Sequence, residues 1–207
     1  GEKIGRERTF SPSEIMLIRS IIGSNKGARR QHLHWRKPGD PVKVVTFGAQ
    51  KGGTGKSLSA AHFAQYINLF YGLRVDVIDA DPQATVSLYF ADEALPLFQP
   101  DTPTLADFMG VDDPGAETLN TPTPKELNAI WQKTPWPGIK LIPGGANIQN
   151  GDISLFFLSR QSQIPVYRIL KEAIARWDSE NGAKTSAADL RKKDGSFDHA
   201  TYMNALE

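Results

Sequence analysis

Cysteine is absent from this 207-residue chain, which excludes disulfides, iron–sulfur clusters and thiolate metal sites and fits a reducing compartment. Long apolar runs are missing as well. No stretch approaches the ~18 uninterrupted apolar residues of a membrane span, and no charged-then-apolar leader opens the sequence. Nor is there much net charge: the formal value is +1, which argues neither for nor against a nucleic-acid partner. The expectation is a soluble intracellular protein. What remains is ordinary globular composition, 40% apolar and 23% charged, enough for a packed core. The length admits one good-sized domain, or one domain plus an arm. Charge is uneven along it: residues 1–43 hold ten Lys or Arg against four Asp or Glu, a local +6, leaving −5 for the remainder.

Periodicity and breakers organise the chain. Ser11-Pro12 opens a predicted helix over 11–22 with Ile15, Ile18 and Ile22 at helical spacing. A polar, basic stretch follows, closed by Pro38-Gly39-Asp40-Pro41, a boundary between a helical basic arm (1–41) and a domain (42–207). A strand is expected at 42–48 and a helix at 56–71, with Ala60, Phe63, Ala64, Ile67 and Phe70 inward and Gly72 as its stop. A second strand follows at 75–79, and the three form a βαβ unit with parallel pairing. Beyond it the pattern predicts short helices at 104–109 and 124–133 and a strand at 139–142. A helix over 164–177 has Val166, Leu170, Ala173, Ile174 and Trp177 on one face. Residues 179–196 read as a mobile loop or linker, and the last ten residues as the start of another helix.

The chemistry concentrates at Lys51-Gly52-Gly53-Thr54-Gly55-Lys56-Ser57. Placed between strand and helix, such a loop is a phosphate site: glycines free backbone amides, and the helix N-terminus adds positive potential. Lys56 is expected to reach the terminal phosphates of a nucleotide and the Ser57 hydroxyl to hold Mg2+. Gln50 occupies the place of the first glycine of a strict Walker A loop, and Lys51 is an extra lysine before the glycine pair.

Gln50–Ser57 resembles the deviant Walker A of the ParA/MinD group of P-loop ATPases. Val77-Ile78-Asp79-Ala80-Asp81-Pro82-Gln83-Ala84-Thr85 resembles the group's second signature, I-D-x-D-P-Q. Ala60–Tyr66 and the lead-in from Arg8 to Asp40 are similar to ParA/RepA-type plasmid partition proteins. Strong similarity spans roughly residues 8–90, with a weaker stretch at 137–144. The resemblance implies an α/β P-loop NTPase with a mostly parallel sheet flanked by helices. It implies that Lys51 crosses a dimer interface to the partner's ATP, coupling dimerisation to nucleotide. Lys51, Gly52, Gly53, Thr54, Gly55, Lys56, Ser57 and Leu58 are the implied nucleotide contacts. Asp81 is the implied orienter of the attacking water, and Asp79 meets Mg2+ through a coordinated water. The implied partners are a second copy of the chain, nonspecific DNA and a ParB/RepB-type centromere-binding protein, with no membrane, and a cytoplasmic, nucleoid-associated location.

Departures from the pattern matter too. The family's Walker B strand is not found between Gly144 and Glu207; the chain reads as the front part of such a domain, its sheet incomplete, and the slow ATPase activity that the resemblance implies assumes that this element is supplied. Three other classes remain: a MinD-like positioning ATPase, a small-molecule enzyme of the same superfamily, and a catalytically inactive interaction module. The missing cysteines remove the iron–sulfur versions and Lys51 disfavours the ligases. His32 and His34 form too small a set for a metal and read as part of a solvated basic arm. Lys26, Arg29, Arg30, Arg36 and Lys37 in that arm are either solvated charge or contacts to DNA phosphates. Trp131, Trp136 and Trp177 are expected to pack in or partly in the core rather than stack on bases.

Overall fold

A computed structural model describes residues 1–4, 7–24, 34, 36–91, 99, 101–113, 120–161, 165–182, 184 and 189–206. Lys26, Arg29, Arg30 and His32 of the expected arm, and Ile164, lie outside the described residues. The chain forms two compact units: Gly1–Val75 with Trp136–Ile139 and Ala183–Glu207, and Asp76–Pro135 with Lys140–Gly182.

The first unit opens with an antiparallel pair, β1 (Glu2–Ile4) and β2 (Glu7–Thr9), Glu2 opposite Thr9. Ser11 then caps α1 (Pro12–Ser24) as expected. Its Oγ accepts the Glu14 N–H at 3.3 Å, and the Glu14 carboxylate accepts the Ser11 N–H at 2.9 Å, a reciprocal cap. The buried face of α1 is not the isoleucine row, however. Ile18 and Ile22 are exposed, whereas Met16 and Ser20 are buried. Two contacts set this rotation: Met16 packs with Leu190 and Tyr202, and Ser20 Oγ lies 2.7 Å from Nδ1 of His199 on α8 (His199–Leu206).

The helix expected at 56–71 is α2 (Lys56–Tyr71), stopped by Gly72 at φ 68°, whose N–H bonds the Asn68 carbonyl at 2.8 Å. Its inner face is Ala61, Ala64 and Asn68, and Phe63 and Phe70 are exposed. A buried amide explains the rotation: Asn68 Nδ2 donates to the carbonyls of Leu73 at 3.0 Å and Pro137 at 2.9 Å, bonds that are costly to leave unmade. The last carbonyls of α2 also receive donors, Arg19 to Leu69 and the Tyr202 hydroxyl to Gly72 at 3.2 Å.

Two expectations in this unit are corrected. Residues 42–48 form no strand, and Val42, Val44, Val45 and Phe47 are exposed. A strand needs a neighbour for its backbone groups, and residues 42–48 pair with no strand of either sheet among the described residues. The expected βαβ unit therefore lacks its first strand among the described residues. Conversely, part of the expected loop at 179–196 is ordered: an Arg191–Phe197 bridge closes a turn, and Leu190 is buried.

The second unit holds β4 (Gln132–Lys133) and all but the first residue of β3 (Val75–Ile78) and of β5 (Ile139–Ile142), in the order β3-β5-β4. β4 runs antiparallel to β5, Gln132 opposite Leu141. The helix expected at 124–133 stops early, as α5 (Pro124–Ile130). Trp131 leaves it to pack against Phe108 and Trp177, with ring centroids 5.7 and 5.0 Å apart. Trp131 and Trp177 are thus core residues, as expected. Around them lie α4 (Leu105–Met109), capped by Thr104, and α7 (Val166–Asn181), which buries Ile169, Ala173 and Trp177 and exposes Val166. Two helices were not legible in advance, α3 (Thr85–Phe90) and α6 (Asn147–Gln161). α6 turns Ile148, Gly151, Ser154 and Leu158 inward. A Cβ on Gly151 would stand 2.8 Å from that of Ala106, so the close approach of α6 to α4 requires glycine.

Candidate functional site

The glycine-rich loop belongs to the first unit, where Lys51 to Gly55 are exposed and turn into α2. Gly53 and Gly55 adopt φ of 73° and 75°, a left-handed backbone that costs any residue with a Cβ roughly 1–2 kcal/mol. Neither has another atom within 4 Å of a built Cβ, so conformation rather than crowding selects glycine there. Gly52 has neither constraint. Gly55 is the N-cap of α2 and supplies no side-chain bond, and the helix's first turn holds no acidic residue. The N-cap of this sixteen-residue helix thus supplies no side-chain acceptor to its first amides, an arrangement that favours an anion. Lys56 and Ser57, in that first turn, are half-buried, and Leu58 is exposed. An open concavity of about 320 Å³ is lined by Thr46, Phe47, Gly48, Ala49, Thr54, Lys56 and Ser59. Its donors are a lysine, hydroxyls and backbone, a set suited to phosphate oxygens. These residues fit a nucleotide's phosphates; Ser57 is not among those lining the concavity. Among the described residues no group of three His, Cys, Asp or Glu side chains is arranged to hold a metal by itself.

Asp79 and Asp81 belong to the second unit, just beyond β3. Asp79 is buried. Its Oδ1 accepts the Asp81 N–H at 3.2 Å, and its Oδ2 accepts the Ser87 N–H at 2.9 Å and the Ser87 hydroxyl at 2.8 Å. Three of its roughly four acceptor sites are thus engaged. Asp81 is half-exposed, and its Oδ1 accepts the Gln83 N–H at 3.0 Å. The turn that follows Asp81 closes through Ala84, whose N–H bonds the Asp81 carbonyl at 2.9 Å and whose φ is 53°. The motif reading found both aspartates but not Ser87 or Gly144, whose N–H donates to Ser87 Oγ at 2.8 Å. No local pattern marks a partner 57 residues away.

Comparison with known families decides the affiliation. Residues 45–195 match the CobQ/CobB/MinD/ParA nucleotide binding domain (CbiA), a stretch that holds the loop, both aspartates and Gly144. The chain belongs to this family. It is a ParA-like P-loop nucleotide-binding protein. Two curated relatives carry the name "Putative replication protein A". That of Sinorhizobium fredii is 30% identical over 146 residues, 69% of this chain and 32% of the relative. That of Rhizobium rhizogenes is 38% identical over 89 residues, 43% of this chain and 22% of the relative. The chain thus spans a third or less of these relatives' length. No solved structure matches it. An α/β fold fits the family, and among the described residues no helix is long and apolar enough to cross a membrane.

Proposed function

We propose that this chain is the nucleotide-binding part of an ATPase that partitions plasmids or chromosomes, acting as an ATP-switched dimer on DNA. The observation that carries the reading is the loop itself: two glycines in left-handed backbone leading into an uncapped helix with Lys56 and Ser57 in its first turn. Loop and family together favour ATP over other anions. Its sheet is proposed to be mostly parallel. Support comes from the bonds Val75 N–H to Gly138 O (2.8 Å) and Asp79 N–H to Ile142 O (3.0 Å), which advance in the same direction along both strands.

In this reading the amides of Gly52 to Gly55 and the Lys56 ammonium bind the phosphates, and the Thr54 and Leu58 positions complete the cradle. Lys51, exposed at the loop's start, reaches the partner's nucleotide. The Ser57 hydroxyl would hold a magnesium ion and Asp79 would reach it through a water; when bound, the ion would add to the neutralisation of phosphate charge. Asp81 orients the attacking water, and positioning with charge neutralisation provides most of the rate. Hydrolysis is slow and serves as a timer. DNA binding is nonspecific and carried by basic surface, and a centromere-binding protein of the ParB/RepB type accelerates release. The protein works in the cytoplasm, on the nucleoid when loaded.

Sedimentation with ATP and Mg2+ tests this. The wild type dimerises with ATP but not ADP, Lys51→Ala stays monomeric, and Asp81→Ala dimerises but does not hydrolyse. A monomer under all nucleotide conditions would sink the reading.

A further inference from the structure

Ser87 is fully buried at 0% exposure and has no place in the family signature quoted above. A hydroxyl offers one proton and two lone pairs, and here its proton goes to Asp79 Oδ2 at 2.8 Å. One lone pair accepts the Gly144 N–H, also at 2.8 Å. The same carboxylate receives the Ser87 N–H and, on its other oxygen, the Asp81 N–H. A continuous relay therefore runs from the backbone after β5, through Ser87 and Asp79, to the backbone of Asp81. A second, independent contact holds the same loop. A Cβ on Gly144 would stand 2.4 Å from the Asp81 carbonyl oxygen, 2.9 Å from Ala84 Cα and 3.0 Å from Asp79 Cγ. Gly144 is thus pressed directly against the turn that carries Asp81, with no room for a side chain. Hydrogen bonds to a buried carboxylate are charge-assisted and strengthened by low local polarity.

We propose that Ser87 is a positioning residue: its hydroxyl clamps the Asp79 carboxylate to the Gly144 backbone and so fixes the turn from which Asp81 acts. The inference rests on the hydrolytic role proposed above for Asp81. It assigns Asp79 a task beyond a magnesium-bound water, that of holding the Asp81 amide, and it makes Ser87 the group that aims Asp79. Ser87 is fully buried, so it acts through Asp79 and not on the nucleotide directly. Misplacing a water-orienting group by about 1 Å costs on the order of 100-fold in rate.

The test compares Ser87→Ala, Ser87→Thr and Ser87→Val in the full chain. Threonine and valine share a shape and differ in the hydroxyl alone, which separates loss of the clamp from altered packing. Three quantities are read: ATP affinity, single-turnover ATP hydrolysis, and amide hydrogen exchange at Asp81 and Gly144. The alanine and valine variants keep ATP affinity within about twofold, lose roughly 100-fold in turnover and exchange both amides faster. Threonine restores turnover and protection toward wild type. Two results overturn the proposal: Ser87→Val turning over like Ser87→Thr while Asp81→Ala is inactive, or Gly144 protection unchanged in Ser87→Ala. Wild-type turnover in Asp81→Ala would instead overturn the hydrolytic role beneath it, and the exchange data would still decide whether the clamp exists.

Discussion

Tyr202→Phe should change both the size of the first unit's stability and its dependence on pH. The Tyr202 hydroxyl is buried and donates to the Gly72 carbonyl at 3.2 Å, at the C-terminus of the helix that follows the glycine-rich loop. Removing it leaves that carbonyl without this donor, a loss of about 1 kcal/mol near neutral pH. Burial pushes the phenol up to about 12, against the opposing pull of the Arg19 guanidinium. The unfolded chain releases this proton from about pH 10, whereas the folded chain holds it to about 12. The contribution is therefore complete below pH 10 and is lost as pH rises through 12. At one pKa unit per 1.36 kcal/mol, roughly 1.4 kcal/mol has gone by about pH 11. Phenylalanine cannot titrate, so its stability escapes this loss. Urea unfolding followed by far-UV circular dichroism at pH 8 and pH 11 measures both. The wild type leads by about 1 kcal/mol at pH 8, and the lead vanishes or reverses at pH 11. An equal difference at the two pH values would refute the buried-phenol reasoning.

Gly55→Ala, at φ 75°, should cost about 1–2 kcal/mol in stability and weaken ATP binding, read by thermal melts and nucleotide titration. Asn68→Leu strands the Leu73 and Pro137 carbonyls and should cost about 2–3 kcal/mol in urea unfolding. Thr123→Ala removes the cap of α5 and should cost about 1 kcal/mol by the same assay. The Glu126 carboxylate in that cap is held below its usual pKa by the Thr123 backbone N–H and then the Thr123 hydroxyl. Its support for the helix is present above the ordinary carboxylate pKa and disappears as pH falls through the folded value; an acid titration should show this in wild type but not in Glu126→Gln. Gly144→Ala would place a Cβ 2.4 Å from the Asp81 carbonyl and should cost about 1–3 kcal/mol, measured by thermal unfolding.

Local signals were legible where the sequence itself settles the structure. The Ser11 cap, the Gly72 stop, the strand at 139–142 and the span of α2 all follow from neighbours in the chain. Faces were less legible, because they depend on what packs against them. The isoleucines of α1 and the phenylalanines of α2 look like inner faces, but Met16 and Asn68 find the specific partners. α6 escaped notice because Gly151 and Ser154 interrupt its apolar row, which is what lets it approach α4 closely. The Val42–Phe47 run reads as a strand from its β-branched residues, yet it joins no ladder among the described residues. The glycine turn leading into α2 was legible because its residues are neighbours along one turn. The Ser87–Gly144 bond was not, since it joins distant segments.

Titration of ATP with Mg2+ into the wild type and Lys56→Ala, followed calorimetrically, tests the central claim most directly. The account predicts saturable binding near one nucleotide per chain in the wild type and its loss in Lys56→Ala. Equal binding by both proteins, or none by the wild type, would contradict the assignment of this loop as the nucleotide site.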